Sequence, residues 1–219
     1  MSNPLVAPRN PLEPQSRLQM LRRGELLEAA IAVIGEEGLS RLTLARVAAR
    51  VGMSAASVNF HFASKAKLLS DTLYAVVQEY HDTISSIVAA HSHDPLRALE
   101  GIVEATFEPP LFDHGKAVVW YAFSAESFRR DEYRDLSVPR YEVYRGQVSD
   151  LFQRLSDEGR LYARIDVATT TTAFVGLLDS IWFDFMLDPE SFDSKAARGT
   201  AMNFLHGLVE EEPSGRKGQ

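Results

Sequence analysis

The sequence contains no cysteine among its 219 residues. Disulfide bonds, thiolate nucleophiles and cysteine-ligated metal sites are therefore excluded. Long apolar runs are also missing, since no stretch approaches the ~20 residues that a membrane-spanning helix needs. Residues 1–16 hold four prolines and no apolar segment, so we interpret them as a disordered leader and not as a signal peptide. These absences favour a cytoplasmic protein that has no contact with a membrane.

Signatures of catalysis are missing as well. The sequence has no Gly-rich phosphate loop, no G-x-S-x-G and no H-E-x-x-H. His91 and His93 form an H-x-H pair, but only Asp94 offers a third metal ligand nearby, and a solvated helix end explains the pair better. We therefore predict no catalytic residue, no metal site and no cofactor.

Positive charge is scarce overall, but it is concentrated near the N-terminus. The formal net charge is −7, whereas residues 1–67 carry nine Lys/Arg against five Asp/Glu. A basic segment attached to an acidic body indicates that the first part contacts a polyanion such as DNA. Many folded domains carry a similar excess, so charge by itself does not decide the function.

Strand patterns are absent, because the apolar residues recur at intervals of three and four. We predict an all-α protein of about nine helices. A three-helix helix-turn-helix domain spans 17–67, a helical effector-binding and dimerisation bundle spans 68–209, and 210–219 form a disordered tail. The longer helices are predicted at about 17–36, 64–91, from 94 to the Pro109-Pro110 pair, and at 112–128, 131–158, 166–187 and 190–209.

Two short segments between residues 43 and 62 have the lengths and the cap and turn residues of a helix-turn-helix. Thr43 precedes an apolar stripe and is a good N-cap. Gly52 follows that stripe as a turn residue, and Ser54 caps the next segment. The order of a cap, a stripe, a glycine turn and a second cap is more specific than any one of these signals.

The segment GLSRLTLARVAARVGMSAASVNFHFASKAKLL (residues 38–69) resembles the DNA-binding signature of the tetracycline-repressor (TetR) family. Three fragments further along, VVWYAFSAES (118–127), YEVYRGQVSDLF (141–152) and FVGLLDSIWF (174–183), are similar to its BetI-like subgroup, typified by a choline-sensing repressor. The resemblance implies a dimer of all-helical subunits. The family usually has Gly or Pro at Ala56, so the resemblance does not specify the operator sequence.

The second short helix is the predicted recognition helix in the major groove. Its short side chains allow close approach to bases, while hydroxyls and cations nearby are placed for phosphates. The alternative is that Thr43 and Ser54 only cap and that His61 packs; capping and contact are compatible. The predicted DNA-binding residues are Arg22, Arg23, Thr43, Ser54, Ala55, Ala56, Ser57, Asn59, His61 and Lys65.

Aromatic side chains and one carboxylate on two later helices suggest a pocket for an organic cation. The predicted lining is Trp120, Phe123, Ser124, Asp179 and Trp182. Any single aromatic of this kind more often belongs to a bundle core or a dimer interface. Choline or a related trimethylammonium compound is the leading candidate, supported mainly by the resemblance, and an uncharged metabolite is the alternative.

The resulting hypothesis is a ligand-responsive repressor. A homodimer would bind a palindromic double-stranded DNA operator and release it when the small-molecule effector enters the C-terminal bundle. The helices at 166–187 and 190–209 would pair across the two-fold axis, where the run 168–173 allows close approach. Two alternatives stay open: an enzyme or carrier built on a helical bundle, and a DNA-binding activator without an effector.

Overall fold

The computed structural model describes residues 14–162 and 166–209. Within these residues the chain forms nine α-helices, as predicted, and one short 3-10 helix, Leu39–Arg41. The α-helices are α1 (Pro14–Glu37), α2 (Leu44–Arg50), α3 (Ala55–His61), α4 (Lys65–Ala90), α5 (Pro95–Thr106), α6 (His114–Ser127), α7 (Asp131–Asp157), α8 (Val167–Leu187) and α9 (Ser194–His206).

Side-chain caps set the starts of most helices. Thr43, Ser54 and Ser64 each accept a hydrogen bond from the backbone N–H three residues on, at 3.1 Å in every case. Asp94 and Asp166 do the same for α5 and α8. These caps satisfy backbone groups that the first turn leaves unpaired. The two hydroxyl caps predicted for the helix-turn-helix, Thr43 and Ser54, are confirmed.

Some helix ends differ from the prediction. The first helix begins at Pro14, three residues earlier than expected, and the last is confined to Ser194–His206. Pro139 lies inside α7, in agreement with the predicted span 131–158. Positions 1–13 and 210–219, which include most of the predicted leader and the whole predicted tail, lie outside the described residues.

Two apolar cores organise the packing. The first joins α1, α2 and α3 to the first half of α4, and also takes in Phe123 and Tyr133. The second lies between the later part of α4 and helices α5, α7, α8 and α9. Because α4 contributes to both cores, it links the helix-turn-helix physically to the C-terminal bundle. No helix in the described segments is long and apolar enough to cross a membrane.

Two glycines let α1 approach α6 closely. A Cβ atom built on Gly35 would lie 2.7 Å from the Cα atom of Gly115, a distance that real Cβ atoms essentially never show. The obstacle is backbone and cannot rotate away. The α1–α6 contact fixes α6, which carries Trp120, against the DNA-binding half.

We expect Gly35→Ala to destabilise the protein, because the added methyl forces α1 and α6 apart. Overpacking of this kind costs about 2 kcal/mol and lowers Tm by roughly 5 °C for a chain of this size. Gly24→Ala is the matched control on the same helix, since nothing lies within 4 Å of its Cβ position. The control gains helix propensity and stabilises by about 0.5–1 kcal/mol. Thermal unfolding of both variants checks the prediction, and equal Tm shifts would contradict it.

Candidate functional site

The helix-turn-helix presents α3 outward. Val58 is fully buried and anchors α3 to the first core, while Gly52 makes the preceding turn with φ of 67°, a conformation that glycine tolerates. The opposite side of α3 exposes the short side chains of Ala55 and Ala56, as well as Asn59. This exposed side has the narrow profile needed to enter a major groove.

Two serines of α3 are partly engaged in capping. The Ser54 hydroxyl accepts from the Ser57 backbone N–H, and the two hydroxyl groups lie 2.9 Å apart. Ser54 is exposed and Ser57 is half-buried. Phe60, which the sequence analysis did not select, is 77% exposed on the same side as Ala56. Its spacing of four from Ala56 was the available signal, because residues four apart share a helix face.

Cations and hydroxyls surround the start of α4. The Lys65 ammonium is exposed and lies 3.5 Å from the carbonyl of Ser40, so the 3-10 helix and the N-terminus of α4 are neighbours. Thr43 is exposed close by in sequence. Arg41, another residue that the sequence analysis did not select, is exposed and forms no ion pair with any described residue. These groups form a compact patch suited to phosphates.

The two arginines predicted at α1 differ in their surroundings. Arg22 is exposed and pairs with Glu25 at 2.7 Å. Arg23 instead donates to the carbonyl of His61 at 2.7 Å, forms an ion pair with Asp71 of α4 and lies over the Phe62 ring, 4.3 Å from its centroid. The geometry thus ties α1 to the end of the recognition helix and to α4. Direct contact of Arg23 with DNA stays a prediction.

A cavity of about 70 Å³ lies within the C-terminal bundle, between α4, α5, α6, α7 and α8. Its walls are largely aromatic, and the rings come from four of these helices. The aromatic lining consists of Tyr80, Trp120, Tyr121, Tyr141, Tyr144 and Trp182. Several rings meet at angles, for example Tyr80 edge-on to Tyr144 with centroids 5.3 Å apart. Pockets that bind drug-sized ligands have volumes of about 300 Å³ or more, so this cavity suits a smaller molecule.

Asp179 supplies a carboxylate to this aromatic cavity. Its side chain accepts a hydrogen bond from the Tyr141 hydroxyl at 3.0 Å, and its backbone carbonyl accepts one from the Tyr121 hydroxyl at 2.6 Å. Burial raises the pKa of Asp179, because a desolvated carboxylate resists ionisation. No ion pair to Asp179 occurs among the described residues, so its charge is compensated only by a neutral donor and by more distant cations.

The other charged groups at the cavity are already engaged. Glu79 forms an ion pair with Lys116, whose ammonium also donates to the carbonyl of Pro110 at 2.8 Å. Arg140 donates to Gln78 at 3.0 Å, and its guanidinium lies over the Tyr74 ring, 4.8 Å from the centroid. Tyr74 is itself 44% exposed, so the Arg140 charge is directed toward the surface. Asp179 and Arg140 are therefore the two charged residues at the cavity that have no ion-pair partner among the described residues, and of these only Asp179 is hydrogen-bonded to the aromatic lining.

Three of the five predicted pocket residues line this cavity: Trp120, Asp179 and Trp182. Phe123 is instead buried in the first core, edge-on to Tyr133 with centroids 4.7 Å apart. Ser124 is exposed, and its hydroxyl donates to the carbonyl of Trp120 at 2.7 Å. Helix α6 contacts α1, α4, α7 and α8, so neighbours of Trp120 along its face need not point into the same space.

Four tyrosines complete the lining, and the sequence analysis did not assign them to the pocket. Tyr141 and Tyr144 are three apart on α7, a spacing that places them on one face. Tyr80 lies within the apolar stripe of α4, and Tyr121 follows Trp120 directly. Of the four tyrosines, only Tyr141 and Tyr144 could have been selected from their spacing, because the positions of the rings depend on how four helices pack.

Comparisons with known proteins identify the family of this chain. Residues 26–72 match the model of bacterial regulatory proteins of the tetR family, and residues 95–210 match that of the C-terminal part of BetI-type transcriptional repressors. The chain is 28% identical over 193 residues to the transcriptional regulator BetI of Paraburkholderia xenovorans, covering 88% of this chain and 95% of that protein.

Solved structures share the fold. A transcriptional regulator from Saccharomonospora viridis in complex with choline superposes with a TM-score of 0.75 at 22% identity, covering 88% of this chain and all of the other. The ketosteroid transcriptional regulator of Mycobacterium tuberculosis gives 0.69 at 23% identity, covering 87% and 96%. The chain therefore belongs to the tetR family of bacterial regulatory proteins and, within it, to the BetI-type transcriptional repressors.

Proposed function

We propose that this repressor binds a palindromic operator as a homodimer and releases it when a small quaternary ammonium compound, with choline as the leading candidate, enters the cavity. The observation that carries the proposal is the desolvated carboxylate of Asp179 among aromatic rings. The regulator from S. viridis, whose structure contains choline, supports the choice of this ligand class.

The chemistry of the cavity favours a cation without N–H groups. Aromatic faces attract cations, and the attraction grows when water is excluded. A quaternary ammonium needs no hydrogen-bond acceptors, so rings and one carboxylate satisfy it. A neutral ligand would leave the half-buried carboxylate of Asp179 with Tyr141 as its only side-chain hydrogen-bond partner among the described residues, which is unfavourable.

Helix α8 has an outward face suited to dimerisation. Its residues Ala173, Gly176 and Ser180 are exposed and small, and the same face ends in Phe183 and Leu187, which are 43% and 63% exposed. Small residues let two helices approach closely, while the large apolar ones need a partner. Pairing of α8 and α9 with their mates would place two α3 helices about 34–36 Å apart or somewhat wider, in successive major grooves.

Helix α4 is proposed to couple ligand binding in the cavity to the position of the DNA-binding helices. It begins at Lys65 beside the helix-turn-helix and carries Tyr80 at the cavity, about 22 Å away along the helix axis. A ligand that favours a different position of α4 would change the spacing of the two recognition helices. Affinity for the operator then falls by the differential binding free energy of the ligand.

The test has two parts. An operator is first selected from a random pool of duplex DNA, and we expect a palindrome. Fluorescence anisotropy then follows the complex as choline is added at millimolar concentrations, and we expect release. An asymmetric binding site would contradict the dimeric mode, and a complex indifferent to choline would contradict the effector.

Lys65 is expected to bind phosphate and not a base. Lys65→Ala should weaken binding to operator and random DNA alike, and should reduce the dependence of log K on log salt by about one phosphate contact. Arg97→Ala is the control, because it also removes one positive charge, from an exposed position on α5. Binding isotherms at several salt concentrations measure the slope, and an unchanged slope for Lys65→Ala would contradict the assignment.

Choline binding is expected to weaken on acidification. The raised pKa of Asp179 means that this carboxyl takes up a proton at a higher pH than the ordinary value of about 4. The ionised form binds the cation, so affinity is present above this pKa and is lost as the pH falls through it. Calorimetric titration between about pH 7.5 and pH 4.5 measures the effect.

Two variants isolate Asp179 as the titrating group. Asp179→Asn should retain only weak binding that does not change with pH. His81 also lines the cavity, and a protonated imidazole there would repel the cation. His81→Gln should keep the loss of affinity at low pH; if that loss disappears, the histidine is the responsible group.

A further inference from the structure

The hydroxyl of Tyr144 is a buried polar group at the cavity. Tyr144 lies on α7, is only 4% exposed and lines the cavity. Its hydroxyl oxygen has no partner in hydrogen-bonding geometry within residues 14–162 and 166–209, although the Tyr80 hydroxyl is near enough to influence its pKa. The great majority of buried polar side-chain atoms in proteins are paired, so an orphan at a ligand cavity points to a partner on the ligand.

We propose that the Tyr144 hydroxyl recognises a hydroxyl group on the effector. This inference rests on the proposed function, in which the ammonium group binds near Asp179. Tyr144 would then determine specificity between cations that share the same ammonium group, while the aromatic rings and Asp179 bind that group.

The spacing along α7 fits such a ligand. Tyr141 donates to Asp179 and so marks the ammonium end of the cavity. Tyr144 is three residues on, and the two ring centroids are 6.3 Å apart. A carbon linker advances by about 1.5 Å or less per bond, so two or three bonds separate an ammonium from a hydroxyl by a few ångströms.

The neighbouring groups argue against a carboxylate at that end. Burial raises the pKa of both Tyr80 and Tyr144, so both phenols stay neutral and can donate or accept. Lys116 is paired with Glu79, and Asp179 would repel a second carboxylate. A neutral hydroxyl therefore suits Tyr144 better than the carboxylate of a betaine.

Calorimetry with three probes tests the inference: choline, propyltrimethylammonium and glycine betaine. Propyltrimethylammonium replaces the choline hydroxyl by a methyl group of similar size. Wild type is expected to bind choline about tenfold more tightly than propyltrimethylammonium, the size of one hydrogen bond, and to bind betaine more weakly than either. Tyr144→Phe keeps the ring, and should remove this tenfold preference while leaving the affinity for propyltrimethylammonium within about twofold.

Tyr141→Phe is the matched control, because it deletes a hydroxyl from the same helix and cavity. Its hydroxyl bonds to Asp179, so its loss should affect choline and propyltrimethylammonium by the same factor. If Tyr144→Phe also changes both affinities equally, or neither, the specificity role is overturned while the cation cavity stands. If wild type binds neither cation, the proposed effector class fails and this inference fails with it.

Discussion

Gly176→Glu is expected to abolish tight operator binding by separating the dimer. Gly176 is exposed on α8, in the middle of the small-residue face, and nothing lies within 4 Å of its Cβ position. In the proposed two-fold dimer this face would meet its own copy, so two carboxylates would be brought together in an apolar interface. Burial of unpaired like charges costs several kcal/mol.

Loss of the dimer removes the coupling between two half-sites. Each recognition helix would then bind its half-site independently, and the apparent operator affinity should fall about 100-fold or more. Sedimentation at about 10 μM should shift from twice the chain mass of 24.4 kDa to a single chain. Anisotropy on the selected operator measures the loss of affinity.

Gly146→Glu is the matched control for the same chemical change. Gly146 is also an exposed helical glycine with nothing within 4 Å of its Cβ position, but it lies on α7. Both variants lose a helical glycine and gain one carboxylate, so any general effect of charge or propensity appears in both. A Gly176→Glu protein that stays dimeric and binds the operator normally would show that α8 does not form the interface.

Asp179→Asn is expected to remove most of the affinity for choline. The substitution keeps the shape of the side chain and an oxygen that accepts from Tyr141, but it deletes the charge. Removing one partner of a desolvated charge pair costs about 2 kcal/mol or more, which is a roughly thirtyfold rise in Kd. Calorimetric titration of wild type and variant measures this difference.

The same substitution should raise thermal stability without ligand. The fold raises the pKa of Asp179, so near neutral pH the folded state carries an unfavourable ionised carboxylate, and a neutral amide relieves this cost. Asp150→Asn removes the same charge from an exposed position on α7 and should change neither property. An Asp179→Asn protein that binds choline as wild type does would exclude Asp179 as the counter-charge and leave the family assignment unaffected.

The helix-turn-helix shows how far local sequence determines structure. Thr43, Gly52 and Ser54 act within one turn of their own positions, so their roles follow from residue type and order. The caps Asp94 and Asp166 are equally local. For the same reason the starts of most helices were predicted to within two residues. The first and last helices are the exceptions, since α1 begins three residues before its predicted start and α9 begins four residues after it.

The lining of the cavity could not be predicted in full from local sequence. Trp120 and Asp179 are 59 positions apart in the sequence. The residues near each of them do not indicate which helix packs against it. The spacing of Phe123 and Ser124 from Trp120 predicts a shared helix face, yet Phe123 is buried in the first core and Ser124 is exposed, because α6 packs against several helices at once.

The sequence by itself determined the all-helical fold, the helix-turn-helix, the family, and three of the residues at the cavity. The tertiary structure decided that four tyrosines complete the cavity, that Arg23 binds Asp71 and that Tyr144 has an unpaired hydroxyl. The physical reason is the range of the interactions. Caps, turns and helical periodicity depend on residues within four positions, whereas a cavity depends on how helices distant in sequence pack against each other.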